Sequence, residues 1–142
     1  MKTTIEAVTA YVEEITPRLE DGGLPVSNWA WVGSTYINGE GNDVDILVLT
    51  LGADIHSKCW SDFNLVYGGS DPHGSDDSWA STKDAMGHNI IFITDPAYFE
   101  KWVAAANACR YIQDLLDSNH YLPLGKAERV KMHRIIMDGD DA

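Results

Sequence analysis

Apolar positions recur at helical spacing through "TTIEAVTAYVEEITPRLE" (3–20), where Ile5, Val8, Val12, Ile15 and Leu19 mark one face and predict a first helix. Thr3 and Glu6 stand at capping-box spacing, and Pro17 is expected to kink or end the helix. "EDGGLPVS" (20–27) reads as a loop and "NWAWV" (28–32) as a short strand. "VDILVLTL" (44–51) is an uninterrupted apolar run after Asp45, the pattern of a strand covered on both faces. "ADIHSKCWSDF" (53–63) is ambiguous between a short helix and an extended piece, and "YGGSDPHGSDDS" (67–78) is an irregular loop that would suit closure over a ligand. "WASTKDA" and "HNIIFIT" predict two strands joined by a turn near Met86-Gly87. Asp95-Pro96 has the form of a helix start. Phe99, Trp102, Val103, Ala106, Ile112 and Leu116 follow as an apolar stripe read as core. A last helix is expected from about Lys126, and "DGDDA" (138–142) as a frayed acidic tail. This order predicts a single α+β domain spanning 1–142, with helices packed on a mixed β-sheet.

Composition narrows the function classes. The 142 residues suit one domain, and 44% hydrophobic content can supply a core. No apolar run reaches membrane-spanning length and the N-terminus has no signal-peptide h-region, so a cytoplasmic location is expected. Cys59 and Cys109 have no CxxC spacing and read as reduced thiols. With 22 acidic against 10 basic residues, the net charge of −12 disfavours binding to duplex DNA or to an anionic membrane. Four of those ten basic residues, Lys126, Arg129, Lys131 and Arg134, are gathered in "GKAERVKMHR", a patch able to meet phosphate or simply to face solvent.

The chemistry concentrates in "WVGSTYINGEGNDVDILVLT" (31–50). Asp43 and Asp45 are two apart at the mouth of a strand, so their side chains share a face about 6.5–7 Å apart. Two carboxylates so placed repel unless a cation lies between them. A hard ion such as Mg²⁺ takes a few carboxylate oxygens and otherwise keeps water or substrate phosphate oxygens. Gly33 lets backbone approach a ligand closely. Ser34 offers a hydroxyl and an N–H to phosphate, and the residues after it are expected to open a helix whose N-terminus favours anions. An exposed hairpin turn would also account for the aspartates. "NGEGND" mimics a single calcium-binding β-roll unit, but such units work in series, and an EF-hand would need glycine and glutamate where this chain lacks them.

Gly33-Ser34, followed about ten residues later by Asp43-Val44-Asp45 with Asn42 beside the pair, resembles the nucleotidyltransferases of the DNA polymerase beta type. The resemblance covers Trp31 to Leu51. "WASTK…HNIIFITDPAYFEKW" is similar in character to small phage-encoded members of that group. It implies a nucleotidyltransferase-like sheet, with Asp43 and Asp45 holding Mg²⁺ or Mn²⁺ and Gly33 and Ser34 cradling a nucleoside triphosphate. It also implies transfer of a nucleoside monophosphate to a hydroxyl acceptor that the sequence does not identify. The group supplies a third carboxylate ahead of a later apolar strand. Here "IIFI" is preceded by Asn89, which can coordinate through its carbonyl but carries no charge and cannot act as a base. Asp84 and Asp62 are candidate replacements; His88 should face the opposite side from Asn89. Lys83 is expected to point near the site and to neutralise phosphate. No HExxH, Walker A or GxSxG motif is present, and the five histidines show no zinc spacing. Two further readings stay open: a catalytically weakened member whose acidic surface binds or inhibits another macromolecule, and a small antitoxin-like partner. The short chain leaves little for acceptor binding, so the acceptor site is expected either to be shallow or to be supplied by a second subunit, with a protein partner or a homo-oligomer as the partner readings.

Overall fold

The computed structural model describes residues 3–39, 41, 43–51, 66–67, 79–121 and 125–138. In chain order the elements are α1 (Ile5–Asp21), β1 (Asn28–Val32), α2 (Gly33–Asn38), β2 (Val44–Leu49), β3 (Val66–Tyr67), β4 (Trp79–Lys83), β5 (His88–Ile93), α3 (Pro96–Ser118) and α4 (Lys126–Asp138). They form an α+β domain around one mixed sheet, four longer strands and the two-residue β3, in the order β1-β2-β5-β4-β3. β2 and β5 run parallel; the other pairs are antiparallel. Among the described residues no helix is long and apolar enough to cross a membrane. Asp62, Cys59, Asn42, the segments 53–63 and 68–78 and the end of the acidic tail lie outside the described residues.

Alternation along β2 and β5 sorts their side chains to two covered faces, as the apolar run of β2 predicted. Ile46, Val48, Ile90 and Phe92 meet Val8, Val12 and Leu19 of α1 on one side. Leu47, Leu49, Ile91 and Ile93 meet Phe99, Trp102, Ala105 and Ala106 of α3 and Met137 of α4 on the other. The stripe on α3 is rotated slightly from the expected one: Tyr98, Ala105, Cys109 and Gln113 are buried, while Ile112 and Leu116 are only partly so. Asp95 caps α3 as expected, its side chain accepting from Ala97 N–H, with Pro96 at the first helical position.

Two local expectations are corrected. The cap of α1 is Thr4, not Thr3; its Oγ1 accepts from Ala7 N–H at 3.2 Å, so the Thr3–Glu6 capping box is not the cap. Adjacent threonines offer the same chemistry one residue apart, which sequence spacing cannot separate. Pro17 does not end α1, which continues to Asp21. The carbonyl that proline leaves without a donor belongs to Glu13, and both residues are exposed, so water can satisfy it.

α2 is only six residues long and closes on Gly39, whose φ of +76° is left-handed. So short a helix adds little dipole, and the expectation of a helix N-terminus favouring anions is withdrawn in favour of the individual groups it presents.

Candidate functional site

Strand direction alone gathers the site. Parallel β2 and β5 start at the same end of the sheet, and antiparallel β1 and β4 finish there. Their register sets Val32, Asp45, Asn89 and Lys83 in one row across β1, β2, β5 and β4. Residues in one such row share a face, here the face covered by α3 and α4. The start of β2 is pinned by Val44 N–H donating to Gly87 O at 2.8 Å, in the turn between β4 and β5.

Asp45 is flanked on one side by Asn89, whose Nδ2 donates to Oδ1 at 3.2 Å. On the other lies Gly33, with φ of +82°; a Cβ there would overlap the Asp45 carboxylate. The glycine is therefore required twice, for its backbone conformation and for the space against Asp45. Burial pushes the Asp45 carboxyl up from 3.8 to about 6; the charge of Asp43 adds to this, while the Asn89 hydrogen bond and Lys83 oppose it. Asp43 sits at the rim and accepts from Lys83 Nζ at 2.9 Å. Lys83 thus reaches the site as expected, but its observed partner is a carboxylate. Gly41 packs its backbone against the Ser34 hydroxyl.

A cavity of about 240 Å³ opens from this row. Gly33, Ser34 and Asp45 line it together with the apolar Val32, Ile37, Ile91, Trp102 and Ala106 and with Lys126, Arg129, Val130 and His133 of α4. Two residues of the basic patch therefore share the cavity with the Asp45 carboxylate. Among the described residues neither Lys126 nor Arg129 has an ion pair, on a chain with more than two acids per base. His133 is buried and meets Trp102 edge-on, ring centroids 5.4 Å apart. The apolar stripe marks Trp102 as core, and spacing gives His133 no role in a zinc site; their place at the cavity comes from the fold. The usable signal was the recurrence of Lys126, Arg129 and His133 along one helical face.

The other candidates fall elsewhere. Asp84 does not stand in for a third carboxylate, because the turn directs it to the α1 face. There its Oδ1 accepts from the N–H groups of Met86 and His88, and its Oδ2 accepts from Tyr11 Oη at 2.9 Å and lies 3.0 Å from His88 Nδ1. His88 does face away from Asn89 and stacks on Tyr11, centroids 3.6 Å apart.

Among the described residues no group of three or more His, Cys, Asp or Glu side chains converges. The donor set at the row and its rim is two carboxylates and one amide, with the half-buried Asp45 resisting its own charge through desolvation. That set fits a hard divalent ion that keeps water and takes ligand oxygens, and not zinc, which wants nitrogen or sulfur donors. No family model, curated protein or solved structure matches the chain.

Proposed function

We propose that the protein is nucleotidyltransferase-like and binds a nucleoside triphosphate together with Mg²⁺ or Mn²⁺ in the cavity beside Asp45. One observation carries this reading. Asp45 lies in register with Asn89 on parallel strands, with Gly33 against its carboxylate and two cations of α4 lining the same cavity. A carboxylate and two cations lining one cavity match the charges of a metal–triphosphate pair. Asp43 and Asp45 would hold the ion, Asn89 adding its carbonyl oxygen. Ser34, Lys126 and Arg129 would hold phosphate oxygens, and Trp102 with its apolar neighbours would take the less polar part of the ligand. The ion, when bound, supplies charge neutralisation at phosphorus.

In the transfer, the acceptor hydroxyl oxygen forms a bond to the α-phosphorus and the bond to the bridging oxygen breaks, releasing pyrophosphate. The chain's residues contribute orientation and fixed charge. The hydroxyl proton must leave to Asp45 or to water, since Asn89 cannot accept it.

The experiment is incubation with each labelled triphosphate, Mg²⁺ or Mn²⁺ and candidate hydroxyl acceptors, beside an Asp43→Ala/Asp45→Ala control. Pyrophosphate release that vanishes in the control supports transfer; release that persists in the control refutes it. A second reading is favoured by the Asn89 amide, which presents N–H and not a carboxylate to Asp45. In it the protein binds the metal–triphosphate without turnover and offers its acidic surface to a macromolecular partner. Metal-dependent binding with no pyrophosphate, and turnover gained by Asn89→Asp, would select it.

A further inference from the structure

Lys83 ends β4 beside Asn89 in the β4–β5 register, yet its ammonium turns to Asp43, with Nζ 2.9 Å from Oδ2. The pair is open to water, with side chains 55% and 38% exposed, so it adds little to stability and can be displaced. Its placement matters more than its strength. The row and its rim carry two carboxylates, one neutral amide and one ammonium, so half of the charge that would attract a divalent ion is already offset, on the Asp43 side. Asp45, deeper in the row, has among the described residues the amide of Asn89 as its side-chain hydrogen-bond partner. Lys83 alone lowers the net negative charge there, while the neutral Asn89 donates to the Asp45 carboxylate and favours its ionised form.

We propose that Lys83 is a built-in cation of the carboxylate site, taking the place beside Asp43 that a metal ion would take. The free protein then binds divalent ions weakly, and an ion settles at Asp45 only when a triphosphate brings additional negative oxygens. This inference rests on the carboxylate row as a cation site, as in the proposed function, and goes beyond it by assigning the order of loading. Removing a positive charge about 5 Å from a divalent ion in water-like surroundings changes affinity by about tenfold.

The test is Mn²⁺ titration followed by the paramagnetic resonance of the free ion, on the wild-type protein, Lys83→Gln and Lys83→Arg, without nucleotide. Because Lys83 is a surface residue, all three should fold, which far-ultraviolet circular dichroism verifies. The expected result is about tenfold tighter Mn²⁺ binding by Lys83→Gln, wild-type behaviour for Lys83→Arg, and loss of the gain in Lys83→Gln/Asp43→Asn/Asp45→Asn. Equal affinity of Lys83→Gln and wild type overturns the inference. So does a gain shared by Lys83→Arg, or one that survives the triple substitution. A parallel titration with a non-hydrolysable triphosphate separates the two ideas. If Lys83→Gln gains Mn²⁺ affinity but no protein binds triphosphate, Lys83 keeps its role and the nucleotide reading falls. If triphosphate binds with Mn²⁺ but Lys83→Gln equals wild type, the reverse holds.

Discussion

Two aspartates at the same end of the sheet, on opposite faces, are treated in opposite ways. Asp84 accepts from two backbone N–H groups and a tyrosine hydroxyl and faces a histidine ring. Burial would raise its carboxyl, but these hydrogen bonds outweigh it and hold the group below the usual range. Asp45 has one amide donor, a neighbouring like charge and more burial, and is pushed up to about 6. The first aspartate is a staple that ties the β4–β5 turn to α1. The second is ionised only against resistance, although room is kept for it by a glycine in a left-handed conformation. The fold satisfies one carboxylate fully and leaves the other with a single amide donor among the described residues, and the proposed function rests on that difference.

The contrast can be broken most severely at Gly33. Gly33→Ala should cost about 3 kcal/mol, because it adds backbone strain at φ of +82° and drives a methyl into the Asp45 carboxylate; denaturant unfolding measures it. Asp84→Ala should cost about 2 kcal/mol by leaving the turn N–H groups and Tyr11 without their acceptor. Asp45→Asn should do the opposite and stabilise the metal-free protein at pH 7 by about 1–2 kcal/mol, since the neutral amide removes an unfavourable buried charge.

The pH dependence of stability sharpens the same comparison. Between about 3.8 and 6 the folded state binds the Asp45 proton more tightly than the unfolded chain, so stability falls as pH rises through that window. Asp84, lowered in the folded state, contributes stability above its unfolded value near 3.9 and loses it as pH falls further. In urea titrations across pH, Asp45→Asn should abolish the decline toward pH 6, and Asp84→Asn should flatten the acid limb. The smallest effect belongs to Lys83→Gln, within about 1 kcal/mol of wild type in stability, because its ion pair is exposed.

The strands and the two long helices were legible because their signals are local. Continuous apolar residues from Ile46 to Leu49 announced a strand buried on both faces, and Asp95-Pro96 announced the start of α3. Asp43, Asp45, Gly33 and Ser34 were visible as a motif, and Asn89 through its place ahead of an apolar strand. The basic patch was visible as a candidate for phosphate, but its place at the cavity was not. Lys126, Arg129 and His133 lie about 80–90 positions beyond Asp45 in the chain, and only the packing of α4 on α3 brings them to the same cavity. The partners of Lys83 and Asp84 were not legible for a related reason. Which face a turn residue selects, and which oxygen an ammonium prefers, depend on the bond Tyr11 donates to Asp84 and the one Lys83 donates to Asp43, which no sequence period encodes.

In the proposed function the Asp43–Asp45 pair holds a divalent ion that arrives with a triphosphate. Calorimetric titration of a non-hydrolysable nucleoside triphosphate, with and without Mg²⁺, into wild type and Asp43→Asn/Asp45→Asn tests it most directly. The account predicts binding that requires Mg²⁺ and disappears in the double variant. Undetectable binding by wild type in the presence of Mg²⁺, or equal binding by the double variant, would contradict it.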